Sequence, residues 1–123
     1  MKILFVEDDT GQLHVWSKVF EKMGYEVAVA ENGADALELF RNQNINIIVT
    51  DINMPKMNGM ELSKSIRKTN SMVPIIMVTG NEEHTRTANP QEFNASLVKP
   101  ASVRRLQQEI ENCTRPIYLG YFS

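Results

Sequence analysis

Runs of apolar residues at regular intervals set the frame for this chain. Ile3 to Val6 is continuous and apolar, Ile45 to Thr50 is strongly β-branched, and Pro74 to Val78 repeats the pattern. Such runs are expected of strands buried on both faces of a parallel sheet. Between them the period changes. Leu13, Trp16, Phe20 and Met23 recur at helical spacing, and Gly24 follows as a stop. Tyr25 to Ala30 reads as a second strand. Asn32 with Asp35 resembles a helix start, with Ala34, Leu37 and Phe40 expected on its inner face. Asn58 with Glu61 opens a helix that turns Leu62 and Ile66 inward. Leu97 and Val98 belong to a short fifth strand, and Ser102 caps a last helix bearing Val103, Leu106, Ile110 and Cys113 on one stripe.

One segment departs from this rhythm. Between Gly80 and Phe93 lies NEEHTRTANPQE, nearly free of apolar residues and with a proline at 90. A helix there has little face to bury, so a short or irregular fourth helix is expected. The tail TRPIYLGYFS after Cys113 is irregular and reads as a linker start or a tail, which puts the domain at residues 1–113 and the tail at 114–123. Alternating strands and helices with short connections imply right-handed crossovers and an α/β, doubly wound parallel sheet.

Composition narrows the function classes. The chain has 123 residues, 42% of them hydrophobic, and a formal net charge of -2, which suits one domain with a single core. That mild negative balance gives no basic footprint for nucleic acid. No apolar run approaches the ~18 residues of a membrane span, and the opening Met1-Lys2 followed at once by strand residues is unlike a signal peptide. A cytoplasmic location is the default expectation. The sole cysteine, Cys113, has no internal partner for a disulfide and reads as a small core residue.

In a doubly wound sheet the ligand site lies beyond the carboxyl ends of the strands. The first strand ends in Glu7, Asp8 and Asp9, the third in Asp51, the fourth in Thr79 and the fifth in Lys99. Two neighbouring carboxylates ~4 Å apart repel by about 4 kcal/mol at an effective dielectric of ~20, unless a cation or solvent relieves them. Glu7, Asp8 and Asp51 offer the hard oxygen ligands that magnesium requires, and manganese would fit the same donors. A cation there lets an anionic phosphoryl group approach, and one carboxylate can then act as its nucleophile. Lys99 and the Thr79 hydroxyl suit the remaining phosphoryl oxygens. Asp9 reads as an exposed helix-start residue. His14 and His84 lack ligand-like spacing and are expected in solvent, while Met54, Met57 and Met60 around Pro55 suit packing.

VEDD, TDINMPKMNG, MVTGN and LVKP, in that order, resemble the receiver domain of two-component response regulators, including the chemotaxis regulators. The resemblance covers roughly residues 2 to 113. It implies a flavodoxin-like (βα)5 fold with strand order 2-1-3-4-5. It also implies that a phosphohistidine on a sensor histidine kinase or a histidine phosphotransfer protein donates a phosphoryl group to Asp51. Asp8 would then ligate Mg2+ directly, Glu7 mainly through water, and Asn53 through its backbone carbonyl. Thr79 and Lys99 would take the phosphate-sensing roles, Asn53 and Asn81 would flank the attacking water in hydrolysis, and Lys99-Pro100 would be a cis peptide. The implied protein is a phosphoacceptor signalling module, not an enzyme beyond slow autodephosphorylation. It would be a monomer or a weak phosphorylation-dependent dimer, acting through a downstream output domain or protein, alone or within a hybrid kinase or multidomain regulator.

Two departures from the family pattern matter. The position three before the lysine is usually aromatic and here is Ser96; the residue after Lys-Pro is commonly aromatic and here is Ala101. Serine has too little area to replace a ring that buries ~150–250 Å². Phosphorylation is therefore expected to reshape the loops after strands three and four, especially 80–89, more than it repositions strand five. Two rival readings fit worse. A haloacid dehalogenase-like phosphatase needs Asp-x-Asp on its first strand and an acidic pair after the lysine, whereas here Asn53 follows the nucleophile. A flavodoxin must cradle a phosphate in its first loop, which Glu7-Asp8-Asp9 would repel.

Overall fold

The computed structural model describes residues 1–70 and 72–115. Its elements run β1 (Lys2–Val6), α1 (Thr10–Lys22), β2 (Glu26–Ala30), α2 (Gly33–Asn42), β3 (Ile47–Thr50), α3 (Gly59–Thr69), β4 (Ile75–Thr79), α4 (Glu82–Thr87), β5 (Ala95–Val98) and α5 (Val103–Thr114). All pairings are parallel, and the sheet order is β2-β1-β3-β4-β5, as the receiver-domain resemblance implies. Residues 116–123, which hold most of the tail, lie outside the described residues.

Successive strand residues point to opposite faces, so each central strand feeds two cores. Leu4, Val6, Ile48, Ile75 and Met77 pack with Ala36 and Leu37 of α2 and with Leu62 and Ile66 of α3. Ile3, Phe5, Ile47, Val49, Ile76 and Val78 pack with Trp16 and Phe20 of α1 and with Leu106 and Ile110 of α5. Phe5 sits between the two aromatic rings of α1, its centroid 5.6 Å from Trp16 and 5.3 Å from Phe20. Continuous apolar runs are thus explained: both faces of the strand are covered.

Local differences from the sequence reading have local causes. Asn32 caps α2 through Asp35 N–H at 2.8 Å, and that phase turns Ala36 and Leu37 inward and leaves Ala34 exposed. Met23 is exposed because it is the C-cap of α1 rather than part of its buried face. Tyr25 precedes β2, although its ring packs on Phe20 at 5.8 Å. Ile45 is buried but precedes β3. Next to it the Asn46 side chain accepts from Lys2 N–H at 2.7 Å. β4 begins after Pro74, which has no N–H for a ladder. β5 is four residues long and includes Ala95 and Ser96.

The fourth helix is six residues and buries no side chain, which agrees with its apolar-poor sequence. The segment that follows it is pinned from α3. Arg67 donates to the carbonyls of Asn70, Val73, Gln91 and Glu92 and to Asn94 Oδ1, and Asn94 Oδ1 also accepts from Ile75 N–H. Burial lowers the affinity of this guanidinium for its proton, and the charge of Glu92 opposes that effect. This clamp sets the approach to β5.

Candidate functional site at the carboxyl edge of the sheet

Backbone pairing carries the acidic residues past the strand ends in fixed positions. Glu7 N–H donates to the Ala30 carbonyl at 3.1 Å, and Asp51 N–H donates to the Val6 carbonyl at 3.0 Å. Glu7 is consequently buried, with 1% exposure, and Asp51 is nearly so, while Asp8 faces solvent. One carboxylate oxygen from each of Glu7, Asp8 and Asp51 lies within 4.8 Å of the others. Asp9 stands apart. Its Oδ1 caps α1 by accepting from Gly11 and Gln12 N–H at 3.0 and 3.2 Å, which makes it the exposed helix-start residue the sequence suggests.

Lys99 supplies the opposing charge. Its Nζ donates to Glu7 Oε1 and, at 3.0 Å, to Asp51 Oδ2. The other oxygen of Asp51, Oδ1, accepts from Ile52 N–H at 2.7 Å, so the carboxylate is held at both ends. Burial pushes the Glu7 carboxyl up to about 7; Lys99 pulls it down, and Asp51 adds to the rise. Burial acts to lower the Lys99 value, but its hydrogen bonds and charge attraction to Glu7 and Asp51 outweigh burial and hold it above the ordinary lysine value. Lys99 N–H donates to the Thr79 carbonyl at 2.7 Å, and the Lys99-Pro100 peptide is cis.

The loop from β3 to α3 is held against two helices at close range. Lys56 and Met57 both have positive φ, and their carbonyls accept from the first N–H groups of α2: Gly33 to Met57 at 3.0 Å and Ala34 to Lys56 at 3.2 Å. These donors would otherwise be orphaned at the helix start. A Cβ on Gly33 would stand 2.3 Å from the Met57 carbonyl oxygen, and one on Gly59 would stand 2.2 Å from that of Asp51. Only glycine fits at either place. Asn58 then caps α3 in a reciprocal box with Glu61.

The remaining candidates are placed less centrally. Asn53 and Asn81 are exposed, and the Asn81 side chain caps α4 by accepting from Glu83 N–H at 3.0 Å. Thr79 is fully buried, and among the described residues its hydroxyl contacts no member of the acid cluster. Its partner is His84 Nδ1, 2.7 Å away, so the expectation of a solvent histidine fails at this position. His84 is partly buried because α4 turns it back toward the end of β4; His14 is exposed. Asn81 as a helix cap, with a histidine three residues on, is the sequence signal that points to this contact.

The donor set fits a hard divalent cation: three carboxylates at one edge, two of them buried, with one exposed side open to water. Among the described residues, no helix is long and apolar enough to cross a membrane. A family model described as the response regulator receiver domain matches residues 3–111. The chain is 36% identical over 117 residues to chemotaxis protein CheY1 of Helicobacter pylori, covering 90% of this chain and 94% of that protein. It is 35% identical to the protein named probable transcriptional regulator ycf27 of Galdieria sulphuraria, covering 99% of this chain but 48% of that protein. Among solved structures, response regulator TrrA of Thermotoga maritima, in complex with Mg2+-BeF, superposes with a TM-score of 0.85 at 27% identity, covering 91% of this chain and 97% of that one. A CheY-like receiver domain protein of Methanospirillum hungatei gives a TM-score of 0.84 at 32% identity, covering 90% of each chain. With this sheet order, this acidic edge and these matches, the chain belongs to the response regulator receiver domain family.

Proposed function

We propose that this domain receives a phosphoryl group on Asp51 from a phosphohistidine and signals by a change of conformation. The observation that carries the reading is the meeting of Glu7, Asp8 and Asp51 with Lys99 at one sheet edge. An Asp51 oxygen attacks phosphorus, the phosphorus–nitrogen bond to the donor imidazole breaks, and that imidazole leaves with its electron pair. Asp51 is suited to this because its side chain is oriented by Ile52 N–H and by Lys99 before any donor arrives. Asp8 and Asp51, with Glu7 mainly through water and Asn53 through its carbonyl, would hold Mg2+ or Mn2+. The bound cation would neutralise charge on the transferred group. Lys99 would leave Glu7 and pair with a phosphoryl oxygen.

Residues 1–113 form the receiver in this reading, and 114–123 form a tail or linker. The donor is a histidine kinase or a phosphotransfer protein in the cytoplasm, the domain is a monomer or a weak phosphorylation-dependent dimer, and slow autodephosphorylation is its only turnover. Incubation with acetyl phosphate and Mg2+ should add one phosphoryl mass to the intact chain, with none added after chelation. Asp51→Asn should abolish the addition. Labelling of that variant to the parent extent would assign the phosphoacceptor elsewhere.

A further inference from the structure

Thr79 ends β4 with a fully buried hydroxyl that has two partners. Oγ1 accepts from Asn81 N–H at 3.1 Å and lies 2.7 Å from His84 Nδ1. A threonine hydroxyl carries one proton and two acceptor lone pairs. Among the described residues, His84 Nδ1 is the one acceptor within hydrogen-bond reach of that proton. A buried hydroxyl leaving its proton unmatched is costly, so the arrangement favours Thr79 as donor to Nδ1, the tautomer with the ring N–H on Nε2. The contact also matters to the fold. Because α4 buries no side chain, this is the only side-chain hydrogen bond from α4 to β4 among the described residues.

On the phosphoacceptor reading given above, the same hydroxyl has a second claimant: the family resemblance assigns Thr79 as a donor to a phosphoryl oxygen on Asp51. One proton cannot serve both. We propose that His84 is a positioning residue that holds the Thr79 hydroxyl in the unphosphorylated domain and gives it up on phosphorylation of Asp51, which unties α4. The exchange breaks no covalent bond. Oγ1–H turns from Nδ1 to a phosphoryl oxygen, and Nδ1 accepts from water instead. Signal then leaves through a helix with one side-chain hydrogen bond to β4, and no aromatic side chain is needed at Ser96, which lies beside Met77 in the β4–β5 register.

Beryllofluoride with Mg2+ serves as the phosphoryl mimic, and 1H–15N spectra of the histidine rings serve as the readout, with His14→Gln to separate the two histidines. The Nδ1 resonance of His84 should show an accepted hydrogen bond in the free domain and lose it when the mimic binds, with amides 82–87 moving together. His84→Ala removes the competitor, so the mimic should bind roughly two- to tenfold more tightly. His84→Asn, whose amide oxygen can take the same proton, should restore the parent affinity. Mimic bound with the His84 ring unmoved, or His84→Ala binding with parent affinity, overturns this inference and leaves the phosphoacceptor reading standing. Absence of any binding overturns both. The ring spectra need only an intact His84, so they decide the matter even if His84→Ala does not fold.

Discussion

Gly59→Ala tests how tightly the end of β3 is locked to α3. The new Cβ would stand 2.2 Å from the Asp51 carbonyl oxygen and 3.0 Å from Ile52 Cα. A relaxed C···O contact is about 3.3 Å, so the chain must open by roughly 1 Å. Both neighbours are backbone, and neither can rotate away. Overpacking a tight site usually costs about 1–3 kcal/mol, and a backbone obstacle belongs at the upper end. We expect a loss of about 3 kcal/mol in urea unfolding and a fall in Tm on the order of 10 °C. Displacement of the Asp51 carbonyl should also weaken Mg2+-dependent uptake of beryllofluoride. Gly80→Ala is the comparison, since nothing lies within 4 Å of its Cβ and its φ is not left-handed. It should be neutral or stabilise by about 0.4–1 kcal/mol through the unfolded chain. A Gly59→Ala domain within about 0.5 kcal/mol of the parent would refute the packing argument.

Arg67→Ala should cost roughly 2–4 kcal/mol, because it strips partners from several carbonyls at once, and amides 91–94 should exchange faster; unchanged protection there would count against the clamp. With divalent cations chelated, the folded state keeps a proton on Glu7 up to about 7, which the unfolded chain releases near 4.5. Its contribution to stability is complete below 4.5 and is lost as pH rises through 7, so the parent should lose stability relative to Glu7→Gln between pH 5 and 8. Parallel unfolding curves for the two across that range would exclude it. Asn81 cannot act as a general base, so exchanging it for a bulky or charged residue should change the aspartyl-phosphate half-life several-fold at most, without moving the site of labelling. A half-life that stays constant across such a series would place Asn81 away from the attacking water.

Periodicity is a local property, which is why the order of strands and helices is legible in the sequence. Apolar composition reports burial, though, and not pairing. Ile45 is buried without belonging to β3, and Tyr25 packs on Phe20 without belonging to β2. The acidic edge is legible because Glu7, Asp8 and Asp51 directly follow apolar runs whose ends must converge. Lys99 is legible as a site residue, but its pairing with Glu7 and Asp51 depends on a distance across the sheet that no spacing encodes. Arg67 is silent in the sequence for the same reason: its acceptors lie between 3 and 27 residues away. Gly33 and Gly59 look like ordinary helix starts until the neighbouring carbonyls are placed.

The bare underside of α4 has an evolutionary consequence. Global stability resides in the two clusters on either side of the sheet, and no residue of α4 is among their buried members. Substitutions on α4 therefore act on a segment whose opening free energy lies far below that of β3 or β4. Such a surface can drift in charge and shape to suit a new partner while the scaffold keeps its margin over unfolding. Among the described residues, Asn81 and His84 tie the segment at its start through the Thr79 hydroxyl. Sequence change on α4 and the stability of the fold are, in this domain, almost separable.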